Sequence, residues 1–343
     1  MAKLIKCLVW DLDNTLWQGV LLEGEGNSLL PGVRETIIEL DKRGILHSIA
    51  SRNVREEALA RLESFGLAEY FLYPQIDFGA KSQSVAVIAK ALNLSVDSFA
   101  FIDDQPFERD EVQSSLPEVR VYPAEEVARL PELTEFTPRF VNQDSAQRRA
   151  MYKADISRKM EEEEFSGPQE AFLQGLQMRF QIAPVAAGDL ERAVDLTERT
   201  NQLNATALTF DHDELDALSK SPQHLLHISS LEDKYGSYGR IGLSLVEKGE
   251  KYWTIKLLLM SCRVMNRGVG SIQLNYLIRE ALRAGKKLRA DFVETTRNRM
   301  MYVTYKFAGF EEIASDGPRI TLEYKGQDNM PPSFPDYLEI AIP

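Results

Sequence analysis

Residues 7 to 19, CLVWDLDNTLWQG, run an apolar stretch straight into two aspartates one residue apart. Alone, such a pair ends a strand in an Asx turn. The setting changes that reading. Apolar runs recur at 45–50 (ILHSIA) and 99–102 (FAFI), and stretches with helical periodicity lie at 32–43, 54–65 and 82–92. This alternation predicts a parallel sheet wound by right-handed crossovers. Ligands collect outside the carboxyl ends of the strands in such sheets. Asp11, Asp13, Ser51, Asp103 and Asp104 each fall just past a predicted strand end, so they are expected on one edge.

The 343-residue chain is long enough for two domains, and its 44% hydrophobic content can fill both cores. The 40 basic and 52 acidic residues leave a net charge of -12, which works against unspecific attraction to nucleic acid or anionic lipid. Neither nucleic acid nor membrane is expected as a partner. No apolar stretch suits a membrane span, and the opening MAKLIKCLVWDLD does not read as a signal peptide, so a cytoplasmic location is expected. The 2 cysteines, Cys7 and Cys262, are far apart and exclude a disulfide scaffold or a thiolate metal cluster. Cys7, in mid-strand, reads as core packing.

Prolines at 117, 123, 131 and 138 punctuate the end of the first region, which is expected to close with the strand VRVY. The boundaries this suggests are an α/β parallel-sheet domain over 1–142, a helical linker over 143–178 and a second α/β domain over 179–343. Within the linker QRRAMYKADISRKMEEEEF reads as one helix, with its acidic run at 161–164 a solvated face. From 180 onward FQIAPV, HLLHISSL, YGRIGLSLVEKG, YWTIKLLLMS, KKLRADFVE and RITLEYKG read as strands, broken by helices at 189–201 and 269–284.

Two aspartates separated by one residue can turn one carboxylate and one backbone carbonyl toward the same hard cation. Mg2+ suits that arrangement, with Asp11 and Asp13 from the first strand end and Asp103 and Asp104 from a later one as the expected metal residues. A phosphate brought there needs donors on its other side: Ser51 and Arg52 after the second strand, and Lys81 beside a helix start. Phosphoryl transfer is mostly positioning plus charge neutralisation. Asp11 is placed to attack phosphorus, and Asp13 to protonate the leaving oxygen and then activate water.

D-x-D-N-T at 11–15, Ser51, Lys81 and FIDDQPFER at 101–109 resemble the four ordered motifs of the haloacid dehalogenase superfamily, of the aspartate-phosphatase type. The short stretch between Thr15 and Arg52 leaves no room for the usual large cap.

In the second half LLLMSCRVMNRGVGSIQLNYLI (257–278) carries a strand, then Cys262 and Arg263, then Arg267, Gly268 and Gly270 opening a helix. Glycines at such a turn expose backbone N–H groups that can hold a pyrophosphate or a pantetheine arm. The arrangement is similar to the acyl-coenzyme A-binding GNAT fold. Cys262 has polar neighbours, two nearby arginines and a following helix N-terminus, all of which favour a thiolate. His227 is a candidate base for it, or a satisfied core histidine. Asn201 and Asn204 are either donors to a thioester carbonyl or capping residues, and Asn298 is either a turn residue or an acyl contact.

Together the halves resemble the FkbH-like glyceryltransferase/phosphatases of polyketide pathways, a haloacid-dehalogenase domain fused to a GNAT-like domain. The carriers are VWDLDNTLWQG (9–19), FIDDQPFER, RTNQLNAT (199–206), YGSYGRIGLSLV (235–246), MSCRVMNRGVG (260–270) and TTRNRMMYVTYKFAGF (295–310). The chain departs from that pattern at Gly270 and at Ala205 to Leu208. The resemblance implies 1,3-bisphosphoglycerate as donor, a Cys262 thioester, removal of the 3-phosphate with Mg2+, and delivery of glyceryl to the phosphopantetheine thiol of an acyl carrier protein. The alternatives are a stand-alone Mg2+-dependent phosphatase, a carrier-binding protein whose first domain is idle, and an acyl-coenzyme A-dependent N-acyltransferase.

Overall fold

The structure, a computed structural model, describes residues 3–24, 28–200, 202–326 and 332–343. The chain divides into two units, Met1–Lys153 and Ala154–Pro343. In the first, strands β1 (Cys7–Trp10), β2 (Leu46–Ser51), β3 (Gln75–Ile76), β4 (Phe99–Asp103) and β5 (Arg120–Pro123) alternate with helices α1 (Val33–Lys42), α2 (Arg55–Ser64), α3 (Lys81–Leu92) and α4 (Pro106–Ser115). The sheet order is β3-β2-β1-β4-β5, and every pairing is parallel.

Register places the site. Trp10 lies opposite Ile49 on one side and Ile102 on the other, and the Asp11 amide still donates to the Ile102 carbonyl at 3.0 Å. Asp11 and Asp103 therefore leave the sheet at the same level. The chain winds outward from β1 through β2 and β3, then places β4 and β5 on the other side. The crossover direction switches between β1 and β4, where such sheets open a crevice. Between β1 and α1 the described residues form only turns, among them a 3-10 turn at Leu21–Glu23, so no large cap is inserted there.

The stretch expected as a linker is shared between the units instead. Helix α5 (Gln143–Ala146) and the start of α6 (Arg148–Glu164) serve the first, where Arg148 donates to the Gly44 carbonyl at 2.9 Å and Arg149 pairs with Asp41 at 2.9 Å. From Ala154 onward α6 serves the second unit. In its acidic run Glu163 and Glu164 are exposed, as expected of a solvated face, while the half-buried Glu161 pairs with Lys234 at 2.8 Å and Glu162 with Arg267 at 3.2 Å. Helix α7 (Gln169–Gly175) adds Phe172 and Leu173 to the second core.

The second unit continues with β6 (Met178–Pro184), α8 (Leu190–Arg199), α9 (His212–Lys220), β7 (His224–Asp233), β8 (Gly236–Lys248) and β9 (Tyr252–Met260). It ends with α10 (Val269–Arg283), β10 (Lys287–Val293), α11 (Arg299–Phe307), β11 (Phe310–Asp316), β12 (Arg319–Tyr324) and β13 (Leu338–Ala341). The 8-stranded sheet has the order β11-β12-β10-β9-β8-β7-β6-β13. Parallel strands β9 and β10 pair only from Tyr252/Lys287 to Ile255/Ala290. Beyond that point residues 203–205 enter between them. The Met260 amide donates to the Leu203 carbonyl at 2.8 Å, the Ala205 amide to Leu258 at 3.0 Å, and the Val293 amide to Ala205 at 2.9 Å.

Candidate active site

The carboxylates of Asp11, Asp103 and Asp104 offer oxygens that all lie within 4.8 Å of one another. Lys81, the first residue of α3, reaches into this group and donates to Asp11 Oδ1 at 2.7 Å and to Asp103 Oδ2 at 2.5 Å. Thr15 links the two strand ends: its hydroxyl donates to Asp11 Oδ2 at 3.4 Å and accepts from the Asp104 amide at 3.0 Å. The β4 end is held by Arg109, which donates to the carbonyls of Asp103 at 2.6 Å and Asp104 at 2.9 Å, and by the Gln105 amide on Asp103 Oδ1 at 2.8 Å.

Burial and crowding set the charges. Burial, then the neighbouring Asp11 charge, pushes the Asp103 carboxyl up to about 7 against the pull of Lys81. Asp104 is raised by the same two causes. Burial alone would push the Lys81 ammonium down, but the Asp11 and Asp103 charges outweigh it and hold the lysine above its ordinary value. Lys81 therefore stays charged, and it takes one oxygen from each of its two partners. The Asp104 Oδ1 atom is buried without a hydrogen-bond partner among the described residues. An all-oxygen donor set with one oxygen left unmatched fits a hard divalent cation such as Mg2+, with Asp11, Asp103 and Asp104 as its carboxylate holders.

Asp13 stands apart from that cluster. Asn14 adopts a left-handed conformation (φ 52°), its Oδ1 accepts from the Gly19 amide at 2.9 Å, and the chain turns away from the strand direction. Asp13 Oδ1 then accepts from Trp17 Nε1 at 2.8 Å and the Leu21 amide at 3.1 Å, and Oδ2 from Asn53 Nδ2 at 3.1 Å. Its side chain is thus engaged by this turn and not by the acidic cluster. Burial raises its carboxyl pKa, which suits a group that must hold a proton.

Of the residues expected to bind phosphate, Lys81 faces the acids and Ser51 ends β2, buried. Arg52 turns its guanidinium to the Gly79 carbonyl (3.2 Å) and Glu108 (2.8 Å). Asn53, Thr15 and Arg109 are positioning residues not singled out in the sequence. Each stands within a quoted motif or two residues after Ser51, and only its partner's position reveals its role.

In the second unit Cys262 is half-buried and opens a 3-10 turn, Cys262–Val264, capped by the Ser261 hydroxyl. Arg263 donates through Nε to that hydroxyl at 3.4 Å. Arg267 is buried over the Phe172 ring. Gly268 caps α10 in a left-handed conformation (φ 74°), and a Cβ there would lie 2.2 Å from the Tyr337 hydroxyl. Gly270 has only Met260 Cγ nearby, at 3.8 Å from where its Cβ would stand. Asn201 lies outside the described residues. Asn204 and Asn298 are committed to backbone: Asn204 Oδ1 accepts from the Thr206 and Ala207 amides at 3.2 and 3.0 Å. Asn298 Nδ2 donates to the carbonyls of Asn204 at 3.0 Å and Val293 at 2.9 Å. They hold the wedge between β9 and β10, the structural one of the two roles expected for Asn204 and Asn298.

His227 is buried in mid-sheet, where Nε2 meets the Tyr276 hydroxyl at 3.4 Å, and burial pushes its pKa down to about 4. Among the described residues no hydrogen bond joins it to Cys262. Cys7 is fully buried, and burial pushes its thiol far above the ordinary range, as core packing requires.

No protein-family model matches the chain, and no curated protein does. Among solved structures it is similar to the N-terminal, phosphatase-domain part of a Bacteroides fragilis protein complexed with Mg, at 29% identity over 39% of this chain and TM-score 0.34. The match spans 40% of that structure's length. It is also similar to the ribosomal-protein-S18-alanine N-acetyltransferase of Escherichia coli, at 15% identity over 42% of this chain and 92% of that one, TM-score 0.34. A third is the paia N-acetyltransferase of Thermoplasma acidophilum in complex with coenzyme A, at 12% identity over 43% and 99%, TM-score 0.32. The α/β class and the two-unit order expected from the sequence are observed. No helix of the described residues is long and apolar enough to cross a membrane.

Proposed function

We propose that the chain is an FkbH-like glyceryl transferase and phosphatase. It takes the three-carbon unit of 1,3-bisphosphoglycerate onto Cys262, removes the 3-phosphate, and passes glyceryl to an acyl carrier protein in polyketide biosynthesis. The observation that carries this reading is the Asp11–Lys81–Asp103–Asp104 cluster at the ends of β1 and β4.

In the loading step the Cys262 thiolate attacks the acyl carbon, the bond to the 1-phosphate oxygen breaks, and phosphate leaves. In the phosphatase step an Asp11 oxygen attacks phosphorus, and the bond to the 3-oxygen breaks. That oxygen takes the proton held on Asp13, whose raised pKa supports the assignment. Water then attacks the aspartyl phosphate, gives a proton back to Asp13, and frees phosphate and Asp11. Mg2+ on Asp11, Asp103 and Asp104 would supply neutralisation of the phosphoryl charge. Lys81 adds a fixed positive charge beside the nucleophile. The carrier thiol finally displaces Cys262 from the thioester.

Intact-protein mass spectrometry tests this reading. The chain incubated with 1,3-bisphosphoglycerate should gain a glyceryl adduct that Cys262→Ala abolishes, and Asp11→Asn should stall at the heavier phosphoglyceryl adduct. An adduct surviving in Cys262→Ala, or an Asp11→Asn variant that releases the 3-phosphate normally, overturns it. One observation favours a second reading, a phosphatase without thiol loading: among the described residues no hydrogen bond reaches the Cys262 thiol.

A further inference from the structure

Five polar side chains lie together beneath α10, all of them buried: His227 and Ser229 on β7, Ser244 on β8, and Gln273 and Tyr276 on α10. His227 and Ser229 share one face of β7, being two residues apart, and Ser244 is the cross-strand partner of His227. Gln273 Nε2 donates to Ser244 Oγ at 2.9 Å, and Tyr276, one residue short of a turn further on, meets His227 Nε2. Three polar atoms of this group have no partner among the described residues: His227 Nδ1, Ser229 Oγ and Gln273 Oε1.

Unmatched polar atoms in a packed interior are costly, and native proteins leave few of them. Three on one patch mark a place where something polar belongs. A neutral imidazole bonded to Tyr276 through Nε2 leaves Nδ1 as a donor or an acceptor according to its tautomer. The patch then offers an acceptor from Gln273 and, from His227 and Ser229, groups that can do either. That combination complements a hydroxyl group. Burial keeps His227 neutral, and the other four side chains carry no charge at neutral pH, so a carboxylate or phosphate would find no counter-charge.

On the β8–β9 side the patch borders Met260. Gly242 is the partner of Ser229 across the β7–β8 pair, and a Cβ at Gly242 would lie 2.4 Å from Ser229 Oγ and 2.6 Å from Met260 Sδ. Met260 thus shares this face, on the strand that ends two residues before Cys262.

We propose that this patch is a hydroxyl-binding site, taking a hydroxyl of a small hydroxylated acyl group carried on Cys262, or a water molecule in its place. The acyl source rests on the loading reading above; the site itself does not. Two measurements on the full chain test it. The first is a high-resolution crystal structure, expected to show an oxygen within hydrogen-bond distance of at least two of the three atoms. The second is loading of Cys262 from glyceryl and propionyl thioesters of N-acetylcysteamine, followed by intact mass. A glyceryl preference of about tenfold, the worth of roughly one hydrogen bond, identifies the acyl group as occupant, and Ser229→Ala and Gln273→Met should each shrink that ratio. Oxygen density with equal loading of both thioesters identifies water. If Cys262 loads neither thioester, the loading reading fails and the density alone decides. No oxygen at the three atoms, with no glyceryl preference, overturns the proposal.

Discussion

At the ends of β1 and β4 the buried groups are charged and, but for one Asp104 oxygen, matched among the described residues, Lys81 standing between Asp11 and Asp103 at 2.7 and 2.5 Å. Beneath α10 they are neutral, and three atoms are without a partner among the described residues. The difference follows from what a protein interior tolerates. An unmatched buried charge is ruinous, so a charged site has to be assembled with its counter-ions in place. A neutral donor or acceptor left single costs less, so a neutral site can stand ready for a guest.

Replacement of Lys81 is the hardest blow to that contrast. Lys81→Met leaves Asp11 and Asp103 facing each other unpaired, and should cost about 3–5 kcal/mol in urea unfolding with Mg2+ chelated, with phosphate release lost as well. A loss below about 1 kcal/mol would mean that the acids reach water and are not a closed cluster. The second unit has its own buried charge for comparison. Arg158 is 1% exposed, bonded to Asp233 at 2.6 and 2.8 Å and to Asp155 at 2.7 Å, and stacked 3.7 Å from the centre of the Tyr238 ring. Arg158→Met should cost less, about 2–4 kcal/mol, because Asp233 keeps its bonds from the Tyr235 amide (2.9 Å) and the Tyr238 hydroxyl (3.0 Å). A larger loss than for Lys81→Met reverses the ranking and locates the greater electrostatic strain in the second unit.

The smallest effect is a titration. Burial holds His47 at about 3 and His227 at about 4, both below the usual 6.5. The unfolded chain therefore takes up these protons first. The stability each neutral imidazole contributes is whole above about pH 6.5 and falls as pH drops toward the folded value. At pH 5 the loss is about 2 kcal/mol for each histidine. Raised carboxylates such as Asp13 and Asp41 act in the opposite sense, so the comparison has to be made within variants. The difference in unfolding free energy between pH 7 and pH 5 should shrink in His47→Gln and in His227→Gln. In the first unit protonation would also break the bond that Trp10 Nε1 donates to His47 Nδ1 at 3.0 Å. An unchanged difference in either variant would show that its imidazole reaches solvent.

The first site is readable because Asp103 ends β4 and Asp11 and Asp104 follow their strands by one residue, and parallel register brings the ends of neighbouring strands level. Lys81 is named on other ground, as a cation at the start of a helix. Asp13 lies past the strand, where the left-handed turn at Asn14 sends its carboxylate to Trp17 and Asn53; the spacing of the pair offers the cation its backbone carbonyl instead. The second unit was less legible because its contacts are distant in sequence. Asn298 meets a carbonyl 94 residues away, and Arg158 meets an acid 75 residues away. Nothing in an acidic run announces which lysine or arginine it will find, and β13 gives no local sign that it will lie beside β6. Helix α9 does carry a local sign, the reciprocal capping of Asp211 and Glu214.

The insertion of residues 203–205 also constrains how the second sheet can be taken apart. A stitch fastened to both flanking strands gives way as a single event, since withdrawing it strips the amides of Met260 and Val293 of their acceptors together. Asn298 knots the same seam from the opposite side, through one carboxamide shared between the stitch and β10. Slow, concerted hydrogen exchange is the behaviour such a fastening imposes on that part of the sheet.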